Sequence, residues 1–178
     1  MYLTNLVVEP DKGSYSESIF FKTRLFMSSN NILDSDPMRY HPLHRTKYTV
    51  TIHNTEKHKA YTNVFGKAKN TTVLQPLWTQ YVVVTADTID GTRIYVEDTM
   101  GSEFVVGKQI FLYKQFDEAN VATVANIGVN YIDVVETITV HKGMFLIPTF
   151  LGFVKEVVNT TYSSERFIKG DILIEELA

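Results

Sequence analysis

Cysteine is missing from all 178 residues, so the chain has no disulfide framework, no thiolate metal site and no cysteine nucleophile. Glycine is sparse, at 9 residues, and no stretch matches GxGxxG, the P-loop or Gly-x-Ser-x-Gly. Phosphate-cradling loops and nucleophile-elbow hydrolases therefore drop out. Long apolar runs are lacking too. The longest uncharged one, residues 143–154, has 12 residues with Pro148 inside it, too short to cross a bilayer. Positive charge is not in excess: 17 Lys and Arg stand against 20 Asp and Glu, for a net charge of −3. A pI of about 5.9 gives no global attraction to nucleic acid or anionic lipid. The first residues, Met1-Tyr2-Leu3-Thr4-Asn5-Leu6, lack a basic region followed by an apolar core, so no secretory signal is expected. These absences lead to the expectation of a soluble protein made in a cytosol, without membrane insertion or specific nucleic-acid binding.

What is present is β-forming. The chain has 20 Val, 13 Ile and 20 Thr, about 30% β-branched residues, joined by 10 Tyr and 11 Phe. Such side chains fit a pleated, half-buried surface. They argue against a helical bundle, and they supply enough apolar area to offset chain entropy, which argues against disorder. The length suits one domain or two very small ones.

Patterning along the chain predicts an all-β fold with at most one or two short helices. Residues 1–80 read as an irregular β-rich region. Strands are expected at 19–27 and 48–53, with a turn-rich loop at 28–37 and an extended basic stretch at 38–45. Ala60, Tyr61, Val64, Phe65 and Ala68 recur near helical spacing, so one short helix is expected between residues 56 and 69. From Tyr81 the strand signal strengthens. Asp90-Gly91 between two β-rich runs predicts a two-residue type I′ hairpin. An entry turn and strand follow at 104–113, then strands at 120–127, 130–134 and 137–140 and one more apolar segment at 143–154. Their spacing of roughly 8–12 residues predicts a small β-barrel or sandwich over 81–154. Residues 155–178 form a tail in which Asp171-Ile172-Leu173-Ile174-Glu175 is expected to return as an edge strand.

Candidate chemistry is thin. His41-Pro-Leu-His44 and His53-x4-His58 contain metal-ligand or general-base residue types. Pro42 breaks a helical presentation of the first pair, and no His-Glu-x-x-His motif accompanies them, so packed or surface histidines are the preferred reading. Asp34-Ser35-Asp36 starts like a calcium loop but has Arg39 at the sixth position and no bidentate glutamate. Asp87, Asp90, Glu97 and Asp98 fall where turns and strand ends are expected, and turn chemistry explains them without a paired-carboxylate hydrolase. A basic cluster, Arg39, His41, His44, Arg45 and Lys47, either faces solvent or clamps carboxylates of a neighbouring subunit, or phosphates. Trp78, the sole tryptophan, is expected to plug a seam rather than to serve as an exposed anchor. No catalytic, cofactor-binding or metal residues are assigned, and no cofactor is expected.

Several stretches together resemble a family of tailed-bacteriophage tail-tip and baseplate structural proteins. They are Phe21-Lys-Thr23-Arg-Leu-Phe-Met-Ser28, then Arg39-Tyr-His-Pro42-Leu-His-Arg45 with Tyr48, then Pro76-Leu77-Trp78. They continue with Gly91-Thr-Arg-Ile94-Tyr-Val96-Glu-Asp98 and Phe104-Val-Val-Gly107-Lys-Gln-Ile110-Phe-Leu112. The likeness spans roughly residues 19–154. It departs between Ser28 and Arg39, where the family's Gly-x-Glu-Gln-Arg stretch is replaced by an acidic, asparagine-rich segment. The resemblance implies a non-enzymatic virion component located in the tail and synthesised in the host cytoplasm. Its partners would be other tail or baseplate proteins and further copies of itself in a homo-oligomeric ring, with Arg39, Pro42, Arg45 and Trp78 as interface or motif residues. The alternative is a carbohydrate- or receptor-binding β module built on an aromatic platform, drawing on Trp78 and the tyrosines at 40, 61, 81, 95, 113 and 131. A glycan hydrolase using Asp87, Asp90, Glu97 or Asp98 ranks last.

Overall fold

The computed structural model describes residues 4–5, 10–20, 23–27, 33–37, 43–52, 72–115, 118–164 and 167–177. Every regular element among them is a β-strand, in agreement with the β-branched composition. The helix expected between residues 56 and 69 lies outside the described residues. The chain divides into two compact units, each made of two stretches of sequence: residues 1–9 with 72–151, and residues 10–71 with 152–178.

The first unit contains β1 (Thr4–Asn5), β6 (Thr72–Pro76), β7 (Val82–Val83), β8 (Thr88–Tyr95), β9 (Gln109–Gln115), β10 (Glu118–Ile127), β11 (Tyr131–Val140) and the start of β12 (Phe145–Ser164). The ladder runs β12-β9-β10-β11-β8 and is antiparallel throughout, while β1 and β6 pair in parallel. Alternation on β9 explains how one strand serves two clusters. Ile110 and Leu112 enter the main core, whereas Phe111 and Tyr113 point to the opposite face. The main core also takes Ile94 and Val96 from the β8 end and Leu146 from the β12 end of the ladder. Strands at both ends of the sheet therefore feed one cluster, so the sheet is strongly coiled. Each fully buried Ile or Leu here contributes about 1.5–3 kcal/mol.

The expected small barrel is not closed. Closure requires a ladder between β8 and the strand beside the start of β12. That strand, β7, is two residues long, and only an isolated bridge, Val84 with Val96, spans the seam, helped by Thr85 N–H donating to the Tyr95 carbonyl at 2.8 Å. A bend at Ala86 ends the extended run before more pairs can form.

The chain does reverse about Asp90-Gly91, as Val84 bridges Val96 antiparallel and the Thr88 hydroxyl donates to the Arg93 carbonyl at 2.7 Å, but the expected two-residue type I′ form is not taken, because Gly91 lacks a positive φ. Asp90 does adopt a positive φ, 47°, of the kind a type I′ turn needs. Gly91 then returns to the ladder opposite Ile138, and the register shifts on both sides of that pair. Residues on both sides of the reversal, Thr88 and Gly91, thus pair with β11, with a bulge between them.

The second unit holds β2 (Ser16–Phe20), β3 (Thr23–Met27), β4 (Leu33–Pro37), β5 (Leu43–Ile52), β13 (Phe167–Glu176) and residues 152–164 of β12. The antiparallel order is β2-β5-β13-β12, and β3 with β4 forms a separate two-stranded sheet. Residues 33–37, expected as part of a loop, are thus a paired strand. The C-terminal segment was expected at an edge, yet β13 is paired on both sides, with β12 and with β5. Its Ile172 and Ile174 stand opposite Tyr48 and Thr46, and all four side chains are buried. An apolar row with partners on both flanks belongs inside a sheet.

Candidate functional site

Arg45 sits on β5, opposite Glu175 on one side and Ser18 on the other. Its guanidinium bonds Glu175 Oε1 at 2.5 Å and lies 4.7 Å from the centre of the Phe20 ring. Lys155 reaches the same carboxylate, with Nζ donating to both oxygens at 3.0 Å. Burial works to raise the Glu175 pKa, but the hydrogen bonds from Lys155 and Arg45 outweigh it and hold it below its ordinary value. Arg45 is therefore the centre of a two-cation clamp across β2, β5, β13 and β12. Arg39 and Pro42 lie outside the described residues.

Trp78 belongs to the first unit, in the turn after β6, and is half-buried. Its ring meets Phe111 and Tyr113 edge-on, with centroids at 6.0 Å and 5.3 Å. Tyr81 packs on Phe145 in the same way at 5.0 Å. Edge-to-face packing of this kind stabilises beyond area burial alone. The two described residues of the predicted set, Arg45 and Trp78, fall in different units.

The other candidates serve local structure. His44 Nδ1 lies 3.0 Å from Glu17 Oε1 across the β2–β5 pair. His41, His53 and His58 lie outside the described residues. Asp34 and Asp36 stand on β4, whose extended, paired backbone is not that of a calcium loop. Asp87 accepts the Lys142 N–H at 2.7 Å, and Asp98 accepts the Met100 N–H at 2.8 Å. Asp87 and Asp90 stand near the start of β8, with Glu97 and Asp98 past its end.

On β8 and β11, Arg93 donates to both oxygens of Asp133, at 2.7 and 3.0 Å, and its Cζ lies 4.0 Å over the Tyr131 ring. Arg93's hydrogen bond keeps Asp133 below the ordinary carboxylate value. One face of the Tyr131 ring is thereby covered. Tyr95, opposite Tyr131, is 44% exposed.

Sequence reasoning missed one surface. Past the end of β8, Thr99 donates its N–H to the Val129 carbonyl at 2.9 Å and its hydroxyl to the Gly128 carbonyl at 2.7 Å. Ser102 N–H closes back on the Thr99 carbonyl at 3.3 Å. This clasp ties the loop after β8 to the β10–β11 turn, and it carries Met100, 79% exposed, and Val129, 69% exposed. On the next turn, Val105 and Val106 are also exposed. A methionine inside the turn sequence Thr99-Met100-Gly101-Ser102 is the signal that marks it.

The sequence matches no protein-family model and no curated protein.

Proposed function

We propose that the chain is a structural component of a bacteriophage virion, a tail or baseplate adaptor that assembles with itself and with other tail proteins. The observation that carries the reading is where the resemblance motifs fall. Ile94 and Val96 of the Gly91–Asp98 motif, and Phe104, Ile110 and Leu112 of the next, are all members of the main core. These residues of the resemblance are thus ones that build the coiled sheet. A scaffolding role needs such a sheet and no cofactor. It also needs exposed loops for neighbours, and the clasped Met100 loop provides one.

A carbohydrate platform needs open aromatic faces beside polar groups. Trp78 is edge-on in a cluster and Tyr131 lies under Arg93, so these rings favour the scaffolding reading over the sugar-binding one. Quantitative mass spectrometry of purified virions from the phage that encodes the chain tests the proposal. The expected result is a fixed copy number per particle that survives density-gradient purification. Recovery only in the soluble lysate fraction refutes it.

A further inference from the structure

Asp90-Gly91 is the one place in the sequence where an aspartate or asparagine precedes a glycine. The Asp90 side chain is exposed at the reversal of β8. It is also weakly held. The Thr139 hydroxyl lies 3.5 Å from Asp90 Oδ1, and the Asp90 N–H lies 3.4 Å from the same hydroxyl, both beyond the usual hydrogen-bond range. By contrast, Asp11, Asp87, Asp98, Asp133 and Asp171 each accept at least one hydrogen bond of 2.9 Å or less. A Cβ at position 91 would crowd Thr88 Cγ2 at 2.7 Å, so the position suits glycine. Gly91 thus has no side chain of its own to shield its nitrogen from the Asp90 carboxyl.

We propose that Asp90 is a site of spontaneous modification in the folded chain, converting to isoaspartate through a ring closed on Gly91. The Gly91 backbone nitrogen attacks Cγ of the protonated Asp90 carboxyl. A C–N bond forms, the nitrogen gives up its proton and the carboxyl gives up its hydroxyl, so water leaves and a succinimide remains. Water then adds to either ring carbonyl. Breaking the Cγ–N bond restores aspartate. Breaking the bond between the main-chain carbonyl carbon and the nitrogen leaves the chain running through Cβ and Cγ, which is isoaspartate. Water is the only co-reactant. The product adds one atom to the backbone between Thr88 and Gly91, both of which pair with β11. The lengthened chain cannot keep both registers, so the pairing loosens at this reversal. This chemistry belongs to the isolated chain, so it stands or falls separately from the assignment to a virion.

Incubation of the purified full-length chain, folded and at mildly acidic pH in water enriched in heavy oxygen, tests it. Peptide mapping with electron-transfer fragmentation locates isoaspartate, and heavy oxygen at residue 90 records each ring that opened before digestion. The expected result is isoaspartate and heavy oxygen at residue 90 that both grow with time, with neither at Asp87, Asp98 or Asp133. Asp90→Glu should abolish both signals, because the longer side chain closes a larger and less favourable ring. The isomerised fraction, separated by ion-exchange chromatography, should melt below the unmodified chain. A folded chain that stays unmodified at residue 90, over a time in which the chain unfolded in urea isomerises there, overturns the proposal. So does isoaspartate that appears equally at Asp87 or Asp98, or an isomerised fraction with an unchanged melting temperature.

Discussion

Glu136 on β11 takes two hydrogen bonds from Thr123 on β10, one from the backbone N–H at 2.7 Å and one from the hydroxyl at 2.8 Å. The β10–β11 pairing runs from Ile127 with Ile132 to Val124 with Val134 and stops there. The next main-chain donor, Thr123 N–H, finds a side-chain carboxylate in place of a strand carbonyl. Glu136→Ala removes that acceptor. It should cost about 0.5–1 kcal/mol, at the low end because the carboxylate faces solvent. Glu136→Gln, which keeps an acceptor oxygen, should recover part of the loss. Urea unfolding of the three chains measures both.

The β10–β11 turn depends on a glycine for space. A Cβ at Gly128 would stand 2.3 Å from the Tyr131 ring, which Arg93 holds from above at 4.0 Å. The ring cannot move aside without leaving the guanidinium. Gly128→Ala should therefore destabilise by about 1–2 kcal/mol. In Tyr131→Ala, where the obstructing ring is gone, the same change should cost almost nothing. A double-mutant cycle by thermal melting reads the difference.

Thr46 is fully buried, with its hydroxyl lacking a hydrogen-bond partner among the described residues. It stands on β5 opposite Ile174 of β13, which is also fully buried. Thr46→Val replaces the orphaned hydroxyl with a methyl of similar size, so the chain should gain about 1 kcal/mol. The measurement is the shift in urea midpoint at unchanged slope.

Acid should weaken the fold through three carboxylates. Arg93's hydrogen bond lowers Asp133. At Glu136, burial acts to raise the pKa, but the Thr123 backbone and hydroxyl bonds overcome it. At Glu175, burial is likewise overcome by Lys155 and Arg45. Each folded value lies below its ordinary one, so the unfolded chain binds protons first as pH falls. The stabilisation is complete above the ordinary values, 3.8 for Asp133 and 4.5 for the two glutamates, and is lost as pH drops through and below them. Melting temperatures from pH 6 downward should hold steady to about pH 5 and then fall. Glu175→Gln should flatten part of that decline.

Much of the fold was legible in local pattern. The β-branched runs at 104–113 and 120–127 mark β9 and β10 within a few residues. Asp90-Gly91 was right about the reversal, which brings Val84 opposite Val96, and wrong about its form, since Asp90 takes φ 47° but Gly91 has no positive φ. What local pattern could not show is that Thr88 and Gly91 both pair with β11, whose Ile138 is 47 residues further along. The same limit explains β4 and β13. Leu33-Asp-Ser-Asp-Pro37 looks like a loop until β3 pairs with it, and β13 looks like an edge until β5, over a hundred residues earlier, covers its second flank. Trp78 was legible as a packed residue. The partner of Arg45 was not, because Glu175, which Arg45 shares with Lys155, approaches only when the strands assemble.

The central claim is that this chain is built into a phage tail. Immunogold electron microscopy of intact virions, with an antibody raised against the full chain, tests it most directly. Gold clustered at the tail of most particles is the predicted result. Unlabelled tails, in preparations where the antibody detects the purified chain, would contradict it.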